Sequence, residues 1–200
     1  FDYLSVNIGI NNDIKKIKNA DKFALSLKPI SKINYNEIVN NLEGKKVGII
    51  GSGPGGIEVS LALKKRYKKI EILLFTGERG LLGNYSNSSK KSILKRLNDA
   101  KIKVIFKDKV TEISKNKIVT KSCKSFLIDK VILSTNGAPP KWLKKTNLTL
   151  TQEGFIKTNK KFQTNFDYIF AAGDVINFSD KKLTKSGVYA VKSGIVLTKN

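Results

Sequence analysis

The six residues Gly51-Ser52-Gly53-Pro54-Gly55-Gly56 carry the strongest chemical signal in this sequence. They fit G-x-G-x-x-G, a spacing that serves a diphosphate when a strand precedes it and a helix follows. Gly51 permits the tight turn, Gly53 lets the backbone approach a pyrophosphate, and Gly56 lets the helix pack close on the sheet. The helix N-terminus then presents free N–H groups and about half a positive charge to the anion. An ordinary glycine-rich loop is the plainer alternative. Which nucleotide such a turn holds depends on the end of the next strand, where an Asp or Glu would accept from a ribose 2′-OH. That position is Phe75-Thr76, with Glu71 at the strand's start and Glu78 two residues beyond its end. Arg79 is near enough in sequence to meet a 2′-phosphate, which leans toward NADPH or both nucleotides; a solvated loop arginine is the equal alternative.

The flanking segments supply the context that the turn requires. KVGII (46–50) is a short apolar run bounded by turn signals, as suits a buried parallel strand. Residues 57–67 read as a helix whose C-terminal end carries Lys64, Lys65 and Arg66, cations that complement the helix dipole. IEILLF (70–75) is a second buried strand, and the whole is a βαβ unit of about thirty residues. A helix over 88–100 with Ile93, Leu94 and Leu97 on one face follows. Short strands are expected at 102–106, 109–114, 117–121, 124–129 and 131–134. Before the turn, 3–8 reads as a strand, 11–22 as a loop with a helical turn, 23–30 as extended, and 34–42 as a helix closing at Gly44. After it come a stiff crossover at Ala138-Pro139-Pro140, a strand at 154–159, a buried strand ending at the Gly173 turn, and a terminal helix with Ser186 as N-cap.

Composition removes several chemistries. A hydrophobic share of 40% and a charged share of 27% support a buried core. One cysteine, Cys123, excludes an intrachain disulfide framework, a CxxC redox pair and a cysteine-built zinc site, and the lack of histidine excludes Ser-His-Asp and Cys-His catalysis. No apolar run is long enough for a spanning helix, and the opening FDYLSVNIGI lacks the features of a signal peptide. There is no methionine, so the chain is expected to be part of a longer product. The net charge of +22 suggests an anionic partner, but 35 of the 38 basic residues are lysine and they are scattered in pairs such as Lys15-Lys16 and Lys90-Lys91. A nucleic-acid binder favours arginine for bidentate contacts, so nucleic acid is the unlikely partner.

Taken in order, GSGPGGIEVSLAL, VILSTNGAPPKWL, GFIKTNKKFQTNFDYIFAAGD and KSGVYAVKSG resemble the FAD- and NAD(P)-dependent pyridine nucleotide-disulfide oxidoreductases. The chain looks most like their type II NADH dehydrogenase-like branch, the kind found fused to selenide, water dikinase. The resemblance implies that Gly51, Gly53, Pro54, Gly55 and Gly56 cradle the nicotinamide nucleotide's pyrophosphate, with Thr76 and Arg79 alongside. It puts Glu58 near the nicotinamide and Lys28, in LKP, near the isoalloxazine as the catalytic candidates; a plain surface lysine is the other reading of Lys28. Asn136 and Gly137 would mark the return to the FAD domain, and Gly9 would lie beside FAD. Asp174, at the Gly173 turn, would accept from the ribityl hydroxyl, while Ser186, Gly187 and Val188 would aim N–H groups at the flavin pyrimidine.

The fold implied is α/β, a Rossmann-like three-layer NAD(P)-binding domain inserted in an FAD-binding domain that is here incomplete. Its expected parts are 1–40, a remnant of the first FAD segment; 41–138, the NAD(P) domain; and 139–200, the second FAD segment. The family's N-terminal FAD fingerprint is not among these residues, so the fragment alone is expected to be inactive. Without a redox cysteine pair, electrons would leave the flavin directly for a quinone, a small acceptor or a partner protein. The resemblance implies FAD and NAD(P)H as cofactors, a cytoplasmic location with possible peripheral contact on the inner face of a membrane, and a fused C-terminal domain. Asn136 in STNGA and Lys192-Ser193 depart from the family pattern and favour a second reading, a non-catalytic nucleotide-binding module or partner domain of a fused selenide, water dikinase.

Overall fold

A computed structural model describes residues 1–12, 17–29, 33, 36, 38, 40–135, 137–180 and 185–199. The chain opens with β1 (Leu4–Val6), β2 (Asn11–Asn12), the single helical turn α1 (Ala20–Phe23) and β3 (Ala24–Ser26). The βαβ unit follows as β4 (Lys46–Ile50), α2 (Pro54–Arg66) and β5 (Glu71–Phe75), then α3 (Asn87–Asp99) and β6 (Lys103–Ile105). Next come β7 (Val110–Ser114), β8 (Lys117–Thr120), β9 (Ser125–Leu127), β10 (Lys130–Leu133) and β11 (Gly137–Ala138). The last elements are β12 (Ile156–Thr158), β13 (Ile169–Ala171), β14 (Ile176–Phe178) and α4 (Gly187–Leu197).

Two compact units result, one of Asn12–Asn136 and one of Phe1–Asn11 with Gly137–Asn200. The first crossing thus falls at 11/12 rather than at 40/41, because β3 completes the central sheet instead of remaining with β1. In that central unit the strand order is β3-β10-β4-β5-β6, with every pairing parallel. Alternate residues divide the sheet's two faces. Val47, Ile49, Ile72, Leu74 and Ile132 pack with Ile57 and Leu63 of α2 and Leu97 of α3. Ile50, Leu73, Phe75, Val131 and Leu133 pack instead with Val110, Ile113 and Ile118 of an antiparallel meander, β7-β8-β9. The three layers are helix, parallel sheet and antiparallel sheet, which is why β4 and β5 read as unbroken apolar runs. Full burial of each aliphatic side chain contributes about 1.5–3 kcal/mol, against about 0.3–1 kcal/mol for a helix-end cation, so the layers rest on this core.

Gly48 makes the meander's approach possible: a Cβ there would lie 2.7 Å from Ile118 Cδ1 and 3.3 Å from Ile128 Cγ2. Helix α2 begins at Pro54, three residues earlier than the apolar pattern suggests, since proline fits a first helical turn where its missing N–H costs nothing. The N-cap of α3 is Ser86, whose Oγ accepts from Ser89 N at 3.2 Å. The helix read over 34–42 falls mostly on residues outside those described, as does the Lys15-Lys16 pair.

The other unit pairs β1 with β13 and β12 with β14, both parallel. Its core is Leu143, Ile156, Phe162, Ala171, Val175 and Ile176, packed by Val6, Leu148 and Leu197. β1 is shorter than the 3–8 read from sequence and ends where Ala172 N donates to Val6 O at 3.1 Å.

One carboxylate ties the meander together. Asp108 accepts from Ser122 Oγ at 2.5 Å, Thr120 Oγ1 at 2.8 Å and Ser122 N at 3.1 Å. The Ser122 hydroxyl is the main reason that its pKa lies below the usual aspartate value, with partial burial opposing and Thr120 assisting. A carboxylate whose pKa is lowered by folding adds stability above its unfolded pKa and loses it as the pH falls through its folded value. Asp108→Ala should therefore cost about 1 kcal/mol or less at neutral pH, because solvent screens these exposed bonds, and the deficit should fade below about pH 4. Denaturant melts of both proteins across that range check it, and a deficit independent of pH would refute the assignment.

Candidate nucleotide-binding site

The sheet changes direction between β4 and β10. From β4 the chain moves outward to β5 and β6, then returns by way of the meander to pair β10 on the opposite side. Open parallel sheets bind ligands in the crevice at such a point, beyond the carboxyl ends of the strands. The glycine turn lies there. Gly51 N donates to Phe75 O at 3.1 Å, and Ser134 N donates to Ile50 O at 2.8 Å.

Two of its glycines serve the protein's own packing. Gly51 has φ +111, and a Cβ on it would fall 2.3 Å from Ser134 O. A Cβ on Gly56 would fall 1.8 Å from Gly51 O. Helix and strand therefore approach within a distance that only glycine permits. Gly53 and Gly55 have a different surrounding: among the described residues nothing lies within 4 Å of a Cβ on Gly53, and only Ser134 Oγ, at 3.2 Å, meets one on Gly55. The helical ladder starts with Ile57 N donating to Gly53 O at 3.2 Å, so the Gly55 and Gly56 N–H groups precede it, as at any helix start. Oxygen Oγ1 of Thr135, two residues past the end of β10, is buried with no hydrogen-bond partner among the described residues. Open backbone at Gly53 and a buried orphan hydroxyl nearby in sequence to Ser134 both fit a bound diphosphate.

The remaining candidates of this unit distribute around the same sheet end. Thr76 is buried, its N donates to Ile105 O at 2.9 Å, and its Oγ1 accepts from Lys107 N at 2.8 Å. Arg79 is exposed on the loop after β5, and Ser52 fastens that loop to the elbow: Ser52 Oγ donates to Gly80 O and Leu82 N donates to Ser52 O, each at 3.0 Å. Lys28 follows the carboxyl end of β3, where its O accepts from Ser26 Oγ at 2.5 Å. Asn12 pins that edge by donating from Nδ2 to Ser26 Oγ at 2.7 Å and Leu133 O at 3.0 Å. Glu58 is exposed on the second turn of α2. Asn136 lies outside the described residues.

In the other unit, three segments converge at the Gly173 turn. Gly173 has φ +77, and a Cβ on it would be 2.7 Å from Asn7 Oδ1 and 3.6 Å from Ala190 Cβ. The end of β1, the Asp174 turn and the first turn of α4 thus meet. Gly9 has φ +66 and, among the described residues, nothing within 4 Å of an added Cβ, while Gly137 packs against Ile10, whose Cγ1 would lie 2.4 Å from an added Cβ. Ser186 occupies the N-cap position of α4 with extended backbone, but its side chain makes no capping bond, so the first turn's N–H groups keep no protein acceptor from it. Among the described residues nothing lies within 4 Å of a Cβ on Gly187, and Val188 is exposed.

Lys185 was not legible as a site residue. Its Nζ lies 4.2 Å above the Phe155 ring and donates to Ile176 O, the carbonyl two residues after Asp174. Desolvation by this packing lowers its pKa below the usual lysine value, and the Asp174 carboxylate offsets part of the fall. The amine joins the start of α4 to the Asp174 turn.

A family model described as pyridine nucleotide-disulphide oxidoreductase matches residues 6–194. The chain belongs to that family. FAD and NAD(P)H, the cofactors implied by the sequence, are the family's own. Within the family, the chain is 26% identical over 151 residues to apoptosis-inducing factor 3 of Homo sapiens, which covers 72% of this chain and 24% of that protein. It is 25% identical over 172 residues to the NADH oxidase of Streptococcus pyogenes, covering 82% of this chain and 37% of the oxidase. The fold matches the water-forming NADH oxidase from Lactobacillus brevis bound to NADH, with a TM-score of 0.84 at 21% identity, over 100% of this chain and 46% of that one. The chain therefore spans about a quarter to just under half the length of these relatives. Among the described residues, no helix is long and apolar enough to cross a membrane.

The glycines separate packing from binding in a way that mutation can read. Gly51→Ala and Gly56→Ala should each cost several kcal/mol, as substitutions that force backbone apart do (about 3 kcal/mol or more). Gly53→Ala should cost less than about 1 kcal/mol, since its φ of −73° suits alanine. Yet it should weaken nucleotide binding by about tenfold or more, because the new methyl group enters the space a pyrophosphate needs. Thermal melts and calorimetric titration test the pair; Gly53→Ala binding as well as the parent would remove the elbow from the site.

Proposed function

We propose that this chain is the nicotinamide-nucleotide- and flavin-handling part of an FAD-dependent oxidoreductase. When bound, the two cofactors would supply hydride-transfer chemistry, from nicotinamide to flavin, with the electrons going on to a quinone, a small acceptor or a partner protein. The observation that carries this reading is the open glycine elbow at the point where the sheet reverses direction. Its family membership and the NADH oxidases among its relatives support the same reading.

The chain's own residues would bind and orient. Gly53, Pro54, Gly55 and Gly56 hold the pyrophosphate against the start of α2. Asp174 accepts from a ribityl hydroxyl, and the N–H groups of Ser186, Gly187 and Val188 stabilise negative charge on the flavin pyrimidine through the start of α4. Glu58 serves the nicotinamide side and Lys28 the isoalloxazine side. No protein acid or base is needed for the hydride step, so alignment to about 3–3.5 Å between the reacting atoms is the protein's main contribution. The finer placement in a type II NADH dehydrogenase-like branch, the kind fused to selenide, water dikinase, rests on KPI (28–30) and GVYAVKSG.

The full-length parent loaded with FAD should lose its flavin absorbance at about 450 nm on mixing with NADH or NADPH. Asp174→Ala should weaken FAD binding by about tenfold or more with nucleotide binding unchanged. A flavin that neither nucleotide reduces, with both still bound, would instead support the non-catalytic module.

A further inference from the structure

We infer that Lys185 is a positioning residue for the flavin: its ammonium fixes the start of α4 against the Asp174 turn, so that both meet one flavin in a preset geometry. This rests on the reading of Asp174 and the first turn of α4 as flavin contacts, and adds the residue that sets one relative to the other.

Lys185 stands two residues before α4, at the positive end of that helix's dipole, where a cation is unfavourable. The first turn of α4 has no acid to compensate it, and Ser186 supplies no capping bond. Helix stability therefore gives no reason for a lysine at this position. The side chain turns instead to the strands. Its ammonium lies 4.2 Å above the Phe155 ring and donates to Ile176 O. Phe155 directly precedes β12, Ile176 begins β14, and these strands pair in parallel with Ile156 beside Ile176. One ammonium thus joins the start of β12, the strand that leaves the Asp174 turn, and the start of α4. Withdrawal of a cation from water is unfavourable, and here the ring, the carbonyl and the Asp174 carboxylate offset it together.

Other attachments of α4 are small or distant from its first turn. A Cβ on Gly173 would lie 3.6 Å from Ala190 Cβ, and Leu197 reaches the core at the far end of the helix. Ser193 is buried, but its Oγ donates within the helix to Tyr189 O. Val188, Val191 and Ile195 are exposed. The aim of the first N–H groups therefore depends on Lys185. A ligand that bridges two elements binds more weakly when it must order them itself. These N–H groups face the place where negative charge develops on reduction, so loosening them weakens the reduced flavin more than the oxidised one.

The test is made on the full-length parent, by calorimetric titration of the apoprotein with FAD and by the reduction potential of the bound flavin. Lys185→Met keeps the side chain's length and removes its charge and donors. It should weaken FAD binding by about tenfold or more. It should also shift the reduced-to-oxidised balance about tenfold toward oxidised flavin, about 30 mV more negative for a two-electron couple. Lys185→Arg, which keeps a cation for the ring and a donor for Ile176 O, should recover most of both. Phe155→Leu should act in the same sense but less, and should add nothing further to Lys185→Met. Lys157→Met, at an exposed lysine on β12, controls for overall charge and should change neither quantity. A Lys185→Met protein that melts earlier but keeps its FAD affinity and potential would overturn the inference; Asp174→Ala, losing FAD in the same experiment, would leave the flavin reading standing. So would a potential that Lys157→Met moves as far as Lys185→Met does. Should Lys185→Met not fold, Phe155→Leu reads the same two quantities, and no change in either would overturn the inference. If the parent binds no FAD, the flavin reading itself fails and the inference falls with it.

Discussion

The backbone's approach to itself at the reversal of the sheet is the constraint on which the rest of the molecule depends. Residue 56 meets the carbonyl of residue 51, and residue 51 meets the carbonyl of Ser134, at distances that leave no space for even a methyl group. Such an approach draws the start of α2 against the ends of β4 and β10. Beside it, among the described residues, the space that a side chain on Gly53 would occupy stays open. A packing requirement and a binding requirement thus fall on one six-residue turn but on different glycines within it.

Around that turn the sheet's two faces divide the work. Helices α2 and α3 close one face through Ile57, Leu63 and Leu97. The meander closes the other, an arrangement made possible by the bare backbone at Gly48. Because both faces are covered, the strands can be apolar throughout, and their polar termini are left as the places where chemistry is possible. The carboxyl ends gather Lys28, the elbow, Thr76 and the Arg79 loop, each secured by hydrogen bonds of modest individual worth that together leave few alternatives. In the second unit the same logic operates at smaller scale: the Gly173 turn accepts positive φ, Asn7 and Ala190 crowd it, and the Lys185 amine ties helix α4 to it.

Hydrophobic pattern and glycine spacing were enough to place β4 at residues 46–50, the adjoining helix, and the strand ending at Phe75. These elements are legible because local sequence alone sets them: apolar runs of strand length, proline and glycine punctuation, and cations at a helix end. The Asp174 turn and the terminal helix were legible for the same reason. Boundaries were less so. Ser86 caps α3 from a position where three serines compete, and Ser186 sits at a helix start without using its hydroxyl.

Tertiary structure alone decided everything that joins residues distant in the chain. That β3 belongs to the central sheet follows from its pairing with β10, more than a hundred residues later. Which glycines are obligatory depends on Ser134, a residue that no local pattern links to the turn. That Thr76 has spent its hydroxyl on Lys107, and that Ser52 holds the Arg79 loop in place, are likewise facts of folding. The physical reason is the range of the forces involved. Propensity and periodicity act within a few residues and are written in the chain, whereas steric contact and hydrogen bonding act across space and exist only once the chain has returned on itself.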